Sequence, residues 1–467
     1  MKKMKTAAML ALSCLFLFSA VSCGDNRKDS GDSASSSSSS SSGTEAPAGN
    51  TAEQQQKIDE ALSALGDQDF TYAQLTGTDS LGRKTLPTIG NEKKYVGLFY
   101  FVATGYVNTD PWNYSMHNKV YDISKLLEKY GTYEMNGIAF QDVHEIWWLE
   151  TIGGHHWIAK RVPDDAYVVM PNQLGIDQFD LEDALGAKKN HLCSADLDDF
   201  IENNHLDLSW NGVLNPRDAF GSHDDSDHVY NTPRAWFMLR YLNPHSKKWD
   251  GPTADYTPRS DDLPWCMVPE KKITPEDVKY VLSSHYQGTL YDPYGSSQSD
   301  QKGAFRSIGI NRNDFMALIQ MRPDQPEDSR VLEWIAFASN AFNVMVPFYA
   351  NVTTTPAYLS NTTGAVSTDN FYWNSRMIAA MADAAYSKSV FHIERYQLAA
   401  ASAGHANINT YDAKLRREQD ASARAALREQ ANEAMADTIR GLAADTLDKV
   451  LYELSCQMKN CYSRSDA

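Results

Sequence analysis

Eight consecutive serines, Ser35 to Ser42, sit inside a stretch from residue 24 to about residue 57 that has almost no apolar side chains. Such a stretch cannot bury enough surface to offset the entropy of ordering it, so it predicts a flexible spacer and not part of a fold. Any packed core must be built downstream, from the roughly 410 residues that follow. That length suffices for one large domain or two ordinary ones.

Upstream of the spacer, Lys2, Lys3 and Lys5 precede an apolar run over residues 7–21, and then comes Ala20-Val21-Ser22-Cys23-Gly24. A basic start, a run too short to span a bilayer and small residues before a cleavage position form a bacterial secretory signal rather than a transmembrane helix. Small residues directly before a Cys resemble the lipobox, in which the Cys takes a lipid and becomes the new N-terminus. The expectation is a signal peptide over residues 1–22, lipidation at Cys23, and a tether over residues 23–57. This places the folded part on a membrane, in the periplasm or at the cell surface.

The formal charge is −17, and loss of the three leading lysines takes it to −20. A chain this acidic repels nucleic acid and anionic headgroups, so the lipid is the membrane contact expected and nucleic acid is not a partner. Of six cysteines, Cys14 leaves with the signal and Cys23 carries the lipid; Cys193, Cys266, Cys456 and Cys461 remain. Their spacing matches no zinc pattern. Outside the cytoplasm a Cys456–Cys461 disulfide is permitted, with unpaired thiols the simpler reading. No cofactor is expected.

Along the folded part, alternation with aromatic and β-branched enrichment predicts strands near residues 95–102, 145–149, 156–162, 166–170, 316–321, 331–336 and 344–349. Ser194 reads as an N-cap followed by an acidic first turn. Thr274-Pro275-Glu276-Asp277 is a stronger helix start, with Pro at the first helical position and acids favoured by the dipole, and the helix runs to about His285. From Asn374 the pattern is helical, with Met377, Ala380, Met381 and Ala384 on one face. A break is read over residues 404–410, then a long Ala-, Glu- and Arg-rich helical region over residues 411–458. Strands early and in the middle with helices around them give an α+β layered domain.

From residue 131 onward a series of segments resembles one known family. They are Tyr133-Glu134-Met135-Asn136-Gly137-Ile138-Ala139-Phe140, residues 145–157 (EIWWLETIGGHHW), residues 161–165 (RVPDD) and residues 171–174 (PNQL). Residues 231–236 (NTPRAW), 285–289 (HYQGT), 309–312 (GINR) and 347–349 (PFY) follow. Together they resemble the dipeptidase A family of N-terminal-nucleophile cysteine peptidases across residues 131–467. The resemblance implies a four-layer αββα sandwich, two antiparallel sheets face to face between helix layers, and hydrolysis of dipeptides or short peptides. It also implies a Cys nucleophile exposed as the first residue, with its own α-amine as base. An α-amine titrates near pH ~8 and a thiol near ~8.5, so proton transfer between them is almost isoenergetic.

The family's Cys opens the first strand and is followed by Thr-rich and Asp-Gly-Ser-Thr sequence, and nothing of that kind precedes Gly131 here. Residues 58–130 read as a divergent segment. Within them 76–83 (TGTDSLGR), 95–101 (YVGLFYF) and 121–127 (YDISKLL) look more like the opening of secreted glycoside-hydrolase-like barrel proteins, but supply far too little chain for a barrel. Two functions follow: a cysteine-type dipeptidase by family resemblance, with an incomplete N-terminus and little or no turnover expected, or a non-catalytic peptide-binding or scaffolding lipoprotein that keeps the cleft.

Two positions match the family's catalytic groups. Asn172, after the strand at 166–170, sits where related hydrolases donate an amide to the oxyanion; a tight turn at Pro171-Asn172 is the alternative. Arg234 sits where they carry an Arg beside the nucleophile, to keep a thiolate charged and hold a substrate carboxylate; a structural ion pair is the alternative. Alternation sends His155 and His156 to opposite faces of their strand, and a satisfied structural His is the simpler reading. The loop at residues 223–228 (HDDSDH) has metal-ligand residue types but lacks the alternation of a calcium loop, and reads as a solvated loop near the cleft. In Trp147-Trp148 one indole belongs to the core.

Overall fold

The computed structural model describes residues 137–207, 212–296 and 299–459, all within one compact unit of the chain. The signal, the tether, Cys23, Cys461, the segment 58–130 and the strand expected at 95–102 lie outside the described residues.

The first sheet is an antiparallel run of β1 (Gly137–Gln141), β2 (Ile146–Gly153) and β3 (His156–Val162), with β5 (His191–Cys193) beside β3. Alternation sorts its side chains by face. Register pairs Trp147 with Arg161, Leu149 with Ala159 and Thr151 with Trp157, and Trp147, Leu149, Trp157, Ala159, Leu192 and Phe140 form a core cluster on that face. The opposite face brings Ile158, Val162 and Cys193 against Ile176, Phe179, Trp265 and two short helices, α1 (Leu181–Leu185) and α2 (Leu197–Asn203). Trp147 is the fully buried indole of its pair, and Trp148 is half-buried. A register irregularity between Thr151 and Gly153, with positive φ at Gly153 and Gly154, turns the chain into β3.

Two local expectations shift here. Ser194 does not cap a helix: among the described residues its Oγ has no hydrogen-bond partner, its N–H donates to Trp157 O at 3.1 Å as a continuation of β5, and α2 starts at Leu197 with Asp196 at the cap position. The strand at 166–170 shrinks to β4 (Tyr167–Val168), paired with the equally short β6 (Cys266–Met267). One further bond, Val169 N–H to Trp265 O at 3.3 Å, precedes Pro171, which has no N–H to continue a ladder.

Three more short helices lead to the middle of the chain: α3 (Pro216–Phe220), α4 (Asp227–Tyr230) and α5 (Thr232–Leu242), the last an 11-residue helix. The capped start at Thr274 gives α6 (Pro275–Leu282): Thr274 Oγ1 accepts from Asp277 N–H at 3.2 Å and Asp277 Oδ2 accepts from Thr274 N–H at 3.0 Å, a reciprocal capping box.

The second main sheet is β7 (Phe315–Met321), β8 (Val331–Phe337) and β9 (Val346–Tyr349), antiparallel in that order. Helices α7 (Ala357–Ser360), α8 (Phe371–Ala384), α9 (Tyr386–Leu415) and α10 (Ala421–Ser455) pack on it. Edge strand β9 is closed by a side chain: Asn432 of α10 accepts from Tyr349 N–H at 2.8 Å and donates to Tyr349 O at 3.0 Å, which satisfies edge groups that would otherwise be open. The two main sheets contribute to separate hydrophobic clusters. The described residues establish a mixed helix-and-sheet α+β domain.

The helical expectations need two corrections. Helix α8 begins at Phe371, with Asn370 Oδ1 accepting from Trp373 N–H at 2.8 Å, and buries Phe371, Asn374, Ser375, Ile378, Ala379 and Ala382. Of the face read from Met377, Ala380, Met381 and Ala384, the two alanines are exposed and the two methionines half-buried. Starting the pattern at Asn374 hid Phe371, the residue that anchors the buried row. The break expected over residues 404–410 is absent, since α9 runs straight through Gly404. That glycine permits close approach: a Cβ there would lie 2.7 Å from Pro347 Cδ. The chain breaks instead after Leu415, and Asp420 Oδ1 caps α10 by accepting from Ala423 N–H at 2.8 Å.

Candidate functional site

Pro171 ends the β4 ladder and leaves Asn172 exposed just beyond it. The start of α5 comes to meet it. Arg234, in the first turn, extends Nη2 to two carbonyl oxygens: Asn172 Oδ1 at 2.8 Å and Asn231 Oδ1 at 2.5 Å. The two residues singled out in the sequence, 62 positions apart, are thus in direct contact, well within the length of a dipeptide. Because Arg234 occupies the Asn172 oxygen, the Nδ2 hydrogens of Asn172 remain for another acceptor.

Asn231 precedes Thr232-Pro233, an N-cap position by sequence, yet its side chain makes no capping bond. It is turned to the network instead: its Nδ2 donates to Asp227 Oδ1. Asp227 is buried and is tied further by Asp224 N–H to Oδ2 at 3.3 Å and by Thr232 Oγ1 to its backbone oxygen at 2.9 Å. The line Asp227–Asn231–Arg234–Asn172 therefore runs from a buried carboxylate to an exposed amide. Arg234 Nε is buried without a partner among the described residues, and burial lowers the guanidinium's pKa, partly offset by the nearby Tyr286. Tyr286 is itself buried at φ +65°, with its hydroxyl donating to Arg306 O at 2.9 Å. An arginine held by neutral oxygens and one unfilled N–H is suited to receive an anionic group.

The loop at 223–228 is largely committed to local structure. Asp224 Oδ1 accepts from Ser226 N–H at 2.9 Å and Asp227 N–H at 3.0 Å, an Asx turn, and these bonds hold its carboxyl below the usual range. His228 meets Asp261 at 2.9 Å, and His223 lies between Asp218 and Asp261 at 3.7 and 3.6 Å. Among the described residues no group of three His, Cys, Asp or Glu is arranged to hold a metal ion. His156 is half-buried, stacked on Phe200 at 4.0 Å and 3.5 Å from Asp196, a packing role; His155 is exposed.

One buried group near the site escaped the sequence reading. Glu150 is 0 % exposed and accepts from Trp148 Nε1 at 2.9 Å, Gly175 N–H at 2.8 Å and Ile176 N–H at 3.3 Å. Burial pushes its pKa up to about 7 against the pull of these bonds and of Arg217. A signal existed: alternation places this acid on the same strand face as Trp148 and Ile152. Beside it, Leu174, Gly175, Arg217, Thr232, Leu263 and Trp265 help enclose a cavity of about 20 Å³, room for about one water molecule.

The described thiols lie elsewhere. Cys193 is buried at the end of β5, four residues before α2 begins. Cys266 is half-buried, and burial raises its pKa. Cys456 is exposed at the end of α10.

In this α+β domain an exposed Asn and a half-buried Arg converge from two distant segments, and the sequence profile of peptidase family C69 matches residues 110–399. The chain belongs to that family. It is 49% identical over 396 residues to a dipeptidase of Bifidobacterium longum (strain NCC 2705), covering 76% of this chain and 74% of the relative. It is 46% identical over 387 residues to a probable dipeptidase A of Streptococcus pyogenes serotype M18 (81% and 78%). To a probable dipeptidase B of Lactococcus lactis subsp. lactis it is 37% identical over 389 residues (81% and 78%). The profile match opens at residue 110, upstream of the boundary at 131 suggested by the motifs.

Proposed function

We propose that this chain is an exported dipeptidase of the N-terminal-nucleophile type, with the αββα sandwich such enzymes share. The observation that carries the reading is the Arg234 Nη2 bond to Asn172. It fixes a cation and an amide donor side by side, as a dipeptide requires. Arg234 receives the substrate carboxylate or steadies the thiolate, and Asn172 Nδ2 donates to the oxyanion. One such donor contributes about 2.7–4 kcal/mol in the transition state. Family membership and the dipeptidase relatives support the substrate class.

The nucleophile is a Cys outside the described residues. Cys23 is the one that signal processing would leave with its own α-amine. A lipid thioether on that sulfur and a catalytic thiolate at that sulfur exclude each other, which gives the competing reading its content: with Cys23 lipidated, the chain keeps the cleft and binds peptides without turning them over.

Two measurements on the processed chain decide between these. Release of free amino acids from a dipeptide panel, strongly reduced by Arg234→Ala, supports the enzyme. Dipeptide binding by calorimetry without release, together with a lipidated N-terminal peptide in mass spectrometry, supports the binding protein. Neither release nor binding would refute both.

A further inference from the structure

Three residues beyond Asn172 the chain turns inward, and two successive backbone N–H groups of that turn, from Gly175 and Ile176, point at the one carboxylate of Glu150. Trp148 Nε1 supplies a third donor. Among the described residues no cation touches it: Arg217 of α3 acts through its field alone. The other titratable groups on this side of the sheet, Lys160 of β3, Asp177 beyond the same turn and Cys266 of β6, are coupled to one another. A carboxylate among Ile158, Ile176 and Trp265, satisfied only by neutral donors, is costly to keep in a fold. A neutral or apolar residue of similar size would be easier to bury, so stability does not account for an acid here.

The geometry points to Glu150 as a positioning residue, whose carboxylate fixes the turn over residues 173–176 and through it the Asn172 amide against Arg234. This rests on the reading of Asn172 and Arg234 as the substrate-facing pair. The charge matters because an ionised carboxylate only accepts, and three donors face it. Protonation adds a hydrogen that none of these three donors can accept and makes the oxygen carrying it a poorer acceptor, so the bonds to the turn weaken. The turn is thereby loosened on the acid side and held on the alkaline side, with the crossover near neutral pH.

The test uses the full processed chain, with Glu150→Gln as the neutral isostere. A second variant, Gly175→Ala, would place a Cβ 3.2 Å from Glu150 Oε1 and 2.9 Å from Trp265 Cδ1, displacing the turn while keeping the charge. Amide hydrogen exchange is followed for the peptide over residues 170–178 against pH, alongside kcat and KM on a dipeptide. In the unaltered chain, exchange at Gly175 and Ile176, corrected for its intrinsic rate, should slow about tenfold as pH rises through about 7, with kcat rising in step. Glu150→Gln should lack that step and lose roughly tenfold in kcat, less than the ~10²–10³ for removing a donor outright, with KM within about twofold. Gly175→Ala should lose kcat but keep the step.

A step that survives Glu150→Gln, or exchange in that variant as slow as in the unaltered chain at alkaline pH, overturns the assignment. If no dipeptide is hydrolysed, the functional reading fails and the exchange data still decide the role of Glu150. If Glu150→Gln does not fold, the step in the unaltered chain and its persistence in Gly175→Ala carry the decision, and no step overturns it.

Discussion

Gly404 and Gly441 both sit inside long helices, and the same substitution at each should have opposite effects. Gly→Ala in a helix interior gains about 1 kcal/mol in intrinsic propensity at either position. At Gly441, on exposed α10 surface, a Cβ meets nothing within 4 Å, so Gly441→Ala should stabilise by about 0.5–1 kcal/mol. At Gly404 a Cβ would lie 2.7 Å from Pro347 Cδ and 3.1 Å from Cγ, with Trp334 Cζ3 at 3.8 Å. Pro347 is a rigid ring in the middle of β9 and cannot rotate away. Overpacking of this kind costs about 1–3 kcal/mol, which outweighs the propensity gain, and Gly404→Ala should destabilise by up to about 2 kcal/mol. The difference between the two variants isolates the contact, because the propensity gain is common to both. Urea or thermal unfolding of the two variants beside the unaltered chain supplies the numbers. Adding Pro347→Ala to Gly404→Ala removes the opposing atoms, so the double variant should recover part of the loss. Equal shifts for the two single variants would refute the close-approach account of Gly404.

Three further outcomes are expected. Arg234→Ala should lower kcat/KM roughly 30- to 150-fold, from loss of charge-assisted bonds of about 2–3 kcal/mol; a fall carried by KM assigns the carboxylate role, and one carried by kcat the thiolate role. Asp412, joined to Arg322 at 2.7 and 3.2 Å and to the Tyr349 hydroxyl at 2.7 Å, should cost about 3–5 kcal/mol when changed to Asn, because the Arg322 charge is left half-buried and unpaired; denaturant midpoints measure it. Folding lifts Glu150 from 4.5 to about 7, so its ionisation disfavours the fold: its contribution is complete below pH 4.5 and lost as pH rises through 7. Glu150→Gln should therefore gain on the unaltered chain by about 2–3 kcal/mol between pH 5 and pH 8, and a pH-independent difference in unfolding free energy would contradict this.

What the sequence determined by itself was local. Thr274-Pro275-Glu276-Asp277 starts a helix wherever it is placed, because its capping bonds span three residues. The alternation over 331–337 and 156–162 appeared as strands because period two needs only a neighbouring strand and one dry face. The motif segments were enough to indicate the family and to single out Asn172 and Arg234. What the tertiary structure decided was whatever depends on residues distant in sequence. Gly404 reads as a helix end until Pro347 is seen against it, and Ser194 reads as a cap until β5 is seen to continue through it toward Trp157. That Asn172 and Arg234 touch, with Asn231 and Asp227 behind them, follows from how β4 and α5 are brought together. Glu150 looks like an ordinary strand acid until Gly175 and Ile176, 25 and 26 residues away, turn their N–H groups toward it. Helix caps and strand alternation are satisfied by near neighbours, so a sequence displays them. A buried charge or a close glycine contact is satisfied by groups that only folding assembles.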